Sequence, residues 1–401
     1  MKLSSFSLII AIFASFLLTN CTKENTILEV PTTVETPTNP IQQEGKNINT
    51  NNSQELIEFK SYLQKEMQTQ HIPALSVLIF EADEILYEGC FGKSNVEKNT
   101  ALQNDHLFLL ASVSKVVTAT ALLQLYDQDQ FDLDDNINDY LNFEVAIPGY
   151  TKDITFRMLL THTSGIADGA ALDDQYYYGE DSPVELTDFL ANYLTPNGEF
   201  YDKKDNFHDF APGSQHEYSN IGAALIGALV TEIAGMDFND YCKQHIFNPL
   251  GMTNTAWHLA DINQFIVQPY DYINGKNEMI EQYTFTDYPN GGLRSTAGDM
   301  FKFLSAFVQN GQSNDYQLLK QSTIEAMITL QIPNLSEEMG LHLFQMDETA
   351  NLWGHDGGEQ GVATIMAFNS DSQIGVIILA NQGEADLEEL LVEAYEVGTG
   401  L

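Results

Sequence analysis

Basic residues are scarce in this chain. Its 401 residues include 57 Asp and Glu but only 17 Lys and Arg, a formal net charge of −40. Such a polyanion cannot neutralise a phosphate backbone, which excludes nucleic acid as a partner, and bare anionic lipid surfaces repel it. Cysteine is scarcer still, with only Cys21, Cys90 and Cys242. Three thiols make no disulfide framework; Cys90 and Cys242 are expected as two buried thiols, with a pair between them left open. No internal repeat period is visible. Signatures of several other chemistries are missing. No Gly-x-Ser-x-Gly elbow surrounds Ser164. His216-Glu217 lacks the second histidine of a zinc-protease helix. The acidic stretch Asp127 to Asp135 lacks the glycine and closing glutamate of a calcium loop, so a solvated turn is expected there. Nothing in the sequence asks for a metal or another cofactor.

The chain is 43% apolar, enough for one large or two smaller packed units. At the N-terminus, Lys2 precedes an apolar run from Leu8 to Leu18 with small residues interspersed. The run is short for a bilayer span but suits the core of a signal peptide, expected over 1–20. It ends Leu18-Thr19-Asn20-Cys21, which resembles a bacterial lipoprotein signal in which the cysteine is lipidated. Asn20 departs from that pattern, since a small residue usually stands there, and ordinary cleavage with Cys21 incidental stays open. The resemblance implies a lipid anchor at Cys21 and a place in the bacterial cell envelope, facing the periplasm or the surface. Residues 21–52, rich in Thr, Asn, Pro, Gln and Glu, cannot bury enough apolar surface to offset their ordering entropy and are expected as a flexible tether.

From residue 53 the sequence reads as one folded domain. Ser53 is placed to cap a helix with Leu56, Phe59 and Leu63 at helical spacing. Strands are expected over 74–80 and 84–91 around a polar turn, and again over 339–345, 352–354, 361–368 and 374–379. Between them lie helices, including 221–234, 238–247 and 297–307; a last amphipathic helix is expected over 385–397. Residues 167–210 are irregular, acidic and aromatic, and suit either a pocket wall or lid or a surface insertion.

Three short stretches carry the chemistry. Ser112 and Lys115 are one helical turn apart, with Cβ atoms about 5–6 Å from each other. A serine hydroxyl is a poor nucleophile without a base, and a desolvated lysine can be that base. Further along stand Tyr218-Ser219-Asn220 and His355-Asp356-Gly357-Gly358. In this order, with Leu159 to Gly165, Asn248 to Met252 and Gly291 to Ser295 as supporting matches, the chain resembles the serine β-lactamase and DD-peptidase superfamily. The likeness is nearest the class C β-lactamase-like branch with its esterases and D-amino-acid peptidases, and covers about 53–400.

The resemblance implies an α/β fold of the α+β type, with an antiparallel sheet flanked by helices and a mainly helical subdomain inserted over about 119–285. It implies a serine hydrolase that forms an acyl-enzyme on Ser112 and acts on an ester or amide: a peptide, a D-amino-acid derivative or a β-lactam-like compound. Lys115 and Tyr218 share the general base, the phenol depressed by a neighbouring ammonium. Asn220 holds Lys115 and the substrate. The N–H groups of Ser112 and Gly358 form the oxyanion hole beside Gly357. His162 matches a structural helix end, not a base. His355 is expected to be partly charged near neutrality. Asp356 departs from the hydroxyl residue common at its position; pointing into the pocket it repels a substrate carboxylate, while pointing away or paired with a cation it does not. The alternative, from another class, is a ligand-binding or sensor protein that keeps the fold without hydrolysis.

Overall fold

The computed structural model describes residues 54–401; the signal segment, Cys21, the tether and the Ser53 cap lie outside the described residues. Helix α1 (Gln54–Thr69) buries Leu56, Phe59 and Leu63, one stripe at three- and four-residue spacing. Strands β1 (Ala74–Glu81) and β2 (Glu84–Asn95) follow as a hairpin, and β3 (Thr100–Ala101) extends its edge. The middle of the chain contributes helices α2 (Ser114–Asp127), α3 (Asn220–Ala234) and α4 (Ala297–Val308). The chain closes with β4 (Phe344–Asp347), β5 (Leu352–Glu359), β6 (Val362–Asn369), β7 (Ile374–Ala380) and α5 (Glu388–Gly400).

The seven strands form one antiparallel sheet in the order β4-β5-β6-β7-β1-β2-β3. The two ends of the domain meet where β1 pairs with β7, with Val77 opposite Ile378. Both strands are buried on both faces, which is why they read as unbroken Val, Ile and Leu runs. The pleat sorts their side chains. Leu78, Phe80, Ile377 and Leu379 join the core against α2 and α4, whereas Val77, Ile79, Val376 and Ile378 join the core against α1 and α5. Helix α3 packs on α2 and brings Asn220, at its N-terminus, beside the start of α2.

Several boundaries differ from expectation, each for a local reason. The strand expected over 339–345 starts only at Phe344, because His342 takes φ of 52° and turns the backbone. Strand β5 runs past Gly354 to Glu359, so the glycines of the third stretch lie within a strand. The last helix starts at Glu388. A hairpin of Tyr270–Ile273 and Lys276–Met279 was not foreseen. Cys90 and Cys242 are both free thiols.

Candidate active site

Ser112 sits in a single 3₁₀ turn, Ala111–Val113, which leads straight into α2. Ala111 holds φ of 48°, a conformation costly for a residue with a Cβ, and the surroundings enforce it. Thr364 Oγ1 on β6 donates to Leu110 O at 2.6 Å, and the Leu293 N–H donates to Ser114 Oγ at 3.1 Å. The turn is thus pinned from the sheet on one side and from the Gly291–Leu293 segment on the other.

Lys115 is fully buried, and its Nζ has three oxygen neighbours. These are Asn220 Oδ1 at 2.7 Å, the Asn290 carbonyl at 2.6 Å and Ser112 Oγ at 3.0 Å. The first two can only accept, so each takes one N–H. The third position faces the serine hydroxyl, and in the neutral amine it holds the lone pair. Burial pushes the Lys115 pKa down to about 7, against the opposing pull of Asp168, Asp287, Glu359 and Asp356. Neutral amine is therefore well populated at physiological pH.

Tyr218 opens onto the groove, 38% exposed, while its hydroxyl end reaches Ser112. Its ring lies between the His162 ring, 4.3 Å away, and Lys115 Nζ, 4.9 Å from the ring centroid. The expectation of a depressed phenol is corrected here. Desolvation raises the Tyr218 pKa, the Ser112 hydrogen bond only partly offsets this, and the charges of Asp356 and Asp168 add to the rise. The phenol therefore keeps its proton and stands as a donor beside Ser112.

Asn220 is held by Asp168, a residue that sequence reasoning missed. Ser219 caps α3 through its Oγ, and Asp168 adds to that end by accepting the N–H groups of Asn220 and Ile221, each at 2.9 Å; it also accepts from Asn220 Nδ2 at 2.9 Å. Asn290 was missed as well, because it contributes a backbone carbonyl. Its side chain is tied to buried Asp287, whose pKa burial raises to about 7.

Strand β5 passes directly beside the Ser112 turn. Its pairing with β4 ends at Gly354, so His355 to Glu359 form a free edge on that side. A Cβ on Gly357 would lie 2.5 Å from Leu110 O and 3.0 Å from the Ser112 amide nitrogen; only glycine lets the strand pass. A Cβ on Gly358 would meet nothing within 4 Å. His355 is buried, and its Nδ1 lies 2.5 Å from Asp356 O, which fixes the proton on Nδ1. Burial and the nearby Lys115 lower its pKa to about 4, so it is neutral near pH 7 and not partly charged as expected. Asp356 is exposed and lines the groove with Ser112 and Tyr218; the neutral His355 ring lies beside it, Nδ1 3.7 Å from its carboxylate.

Behind Tyr218 lie further imidazoles. His162 accepts the Ser219 N–H through Nδ1 at 3.2 Å, consistent with a structural place for it, and His342 stacks edge-on against His162 at 4.6 Å. Burial holds both pKa values well below the ordinary histidine range. Among the described residues no group of three or more His, Cys, Asp or Glu is placed to hold a metal ion. Within residues 167–210, one short strand packs near the site. Tyr176 and Tyr178 pair with Tyr283–Phe285 and bond through their hydroxyls to Glu359 and Gln360 at the end of β5.

The model of the Beta-lactamase family matches residues 59–396. The chain belongs to this family. At that level it is a serine hydrolase of β-lactamase fold. Penicillin-binding protein 4* of Bacillus subtilis (strain 168) is 26% identical over 347 residues, spanning 80% of this chain and 71% of that protein. Protein flp of Staphylococcus aureus (strain N315) is 23% identical over 83% of this chain, but the match spans only 64% of flp, under two thirds of its length. Two solved structures share the fold. A penicillin-binding protein from Bacillus halodurans has a TM-score of 0.65 at 23% identity, covering 84% of this chain and 98% of that one. EstCE1, described as a hydrolase with promiscuous acyltransferase activity, has a TM-score of 0.67 at 18% identity, covering 86% and 98%. Proteins described as penicillin-binding and as hydrolase thus share this fold.

Proposed function

We propose that this protein hydrolyses esters or amides through an acyl-enzyme on Ser112, and that its substrates carry no carboxylate next to the scissile bond. The observation behind the first part is the environment of Lys115 Nζ, where two obligate acceptors leave the third position aimed at Ser112 Oγ. As Oγ attacks the carbonyl carbon, the neutral amine takes its proton. The oxyanion forms beside the Ser112 and Gly358 N–H groups. Tyr218, protonated and within reach of Ser112, hands a proton to the departing alcohol or amine, and the lysine ammonium reprotonates it. Water then attacks the acyl carbon, Lys115 again accepting a proton, and as the acid leaves the lysine ammonium returns that proton to Ser112 Oγ.

The second part rests on Asp356. It stands by the nucleophile on the free strand edge, and the residue before it is a neutral imidazole, so no cation waits there for a substrate carboxylate. Neutral esters and amine-bearing amides fit this edge better than β-lactams or D-Ala-D-Ala ends. An envelope location, through a lipid on Cys21 and the 21–52 tether, belongs to the same proposal and rests on the N-terminal sequence.

The test is a substrate panel. A neutral ester and a D-amino-acid amide should be turned over, with nitrocefin poor and improved in Asp356→Thr. Strong nitrocefin hydrolysis by the unmodified protein defeats the carboxylate argument. Release of the protein from membranes without detergent defeats the anchor.

A further inference from the structure

The groove that starts at Ser112 continues well beyond it. It has a volume of about 1170 Å³ and runs from Ser112 and Tyr218, past β4, to the outer faces of α1 and α5. Seven of its sixteen lining residues are Asp or Glu, and none is Lys or Arg. We infer that this groove selects substrates bearing protonated amines, such as lysine-type side chains, and holds them while Ser112 reacts. The inference rests on the serine-hydrolase proposal and names the substrate class of the same site.

The arrangement is more than an acidic surface. Glu389, Glu393 and Glu396 lie at i, i+4 and i+7 on α5, one face of the helix turned to the groove. Like charges at that spacing repel and weaken a helix. Tyr62 stands among them: its pKa is raised by desolvation and then by Glu66, Glu393 and Glu389. Aromatic side chains of Tyr62, Tyr218 and Phe344 line the same groove, and a ring beside a carboxylate suits an ammonium group. At the inner end, buried His355 lines the groove and keeps Nε2 without a partner; with its proton on Nδ1, that nitrogen is a bare acceptor. Asp356 adds a carboxylate at the nucleophile itself. Acceptors therefore line the path from end to end, and a concave wall of one sign concentrates oppositely charged ligand.

The test uses the whole chain as the Ser112→Ala variant, so that nothing is turned over. Binding of tetralysine amide and tetraglutamine amide is measured by titration calorimetry at low and high salt. Tetralysine amide should bind at least about tenfold tighter, and the advantage should shrink in high salt. It should fall in a variant that adds Glu389→Gln, Glu393→Gln and Glu396→Gln. It should persist in a variant that instead adds Glu144→Gln, Asp153→Asn and Glu199→Gln, exposed carboxylates outside the groove. Equal binding of the two peptides overturns the inference. So does an equal loss in both triple variants, which assigns the preference to the overall charge. Fluorophosphonate labelling of the unmodified protein reports separately on the hydrolase proposal: label with no lysine preference removes only this inference, and lysine preference without label removes only the hydrolase.

Discussion

Asp168 holds Asn220 at two points, accepting its backbone N–H and its Nδ2 on the same oxygen, each at 2.9 Å. The amide is thereby turned so that Oδ1 faces Lys115 at 2.7 Å. One carboxylate takes up two N–H groups at the end of a helix and aims a site residue. It is also the leading charge that pulls the Lys115 pKa upward. Asp168→Ala should lower stability by about 1 kcal/mol through the lost hydrogen bonds to the end of α3, measured by denaturant melts, and lower kcat at least about tenfold. Asp168→Asn should shift the rising limb of kcat/KM to lower pH. An unmoved limb separates Asp168 from Lys115.

Lys115 sets the pH dependence. Its pKa is lowered to about 7, so the neutral base is lost as pH falls below that value. With a neutral ester, kcat/KM should drop about tenfold per unit below pH 7 and level off above it. Lys115→Arg should cost about a thousandfold or more, since a guanidinium cannot surrender its proton. A flat profile from acid to alkaline pH excludes Lys115 as the base.

His342 makes the fold sensitive to acid. It is fully buried, neither ring nitrogen has a partner, and its pKa lies well below 6.5. Below pH 6.5 the unfolded chain binds a proton that the folded chain refuses, so stability falls as pH falls. Asp287, raised to about 7, works in the opposite direction. The difference between the parent protein and His342→Asn isolates the histidine, and asparagine tolerates the φ of 52°. Unfolding at pH 6 and pH 5 should show the parent losing about 1.4 kcal/mol more per pH unit than the variant.

The two glycines of β5 should behave differently. Gly357→Ala drives a methyl into Leu110 O and the Ser112 amide, and should cost about 1–3 kcal/mol and most of the activity. Gly358→Ala meets open space and should fold like the parent, with any effect confined to KM and kcat. Thermal melts beside ester kinetics separate the two.

The nucleophile stretch and several of the strands were legible in the sequence because each has a local signature: helical spacing in α2 and unbroken apolar runs in β1 and β7; the antiparallel sheet came only with the family resemblance. Asp168 was not, since it stands in an irregular segment and acts only when the chain brings it against α3. Asn290 contributes a carbonyl, which every residue carries, so its identity gives no sign of the contact. Neutral His355 depends on burial between packed elements and protonated Tyr218 on the surroundings of its hydroxyl, which emerge only when β5, α2 and α3 come together. The path of Met339 to Leu343 was misjudged because an alternating pattern cannot show the positive φ at His342.

Intact-protein mass spectrometry after rapid quench with a neutral activated ester tests the central claim most directly. The account predicts a transient mass increase equal to the acyl group, mapped to the peptide carrying Ser112, and none in Ser112→Ala. Turnover of the ester with no adduct on Ser112, or the same adduct in Ser112→Ala, would contradict it.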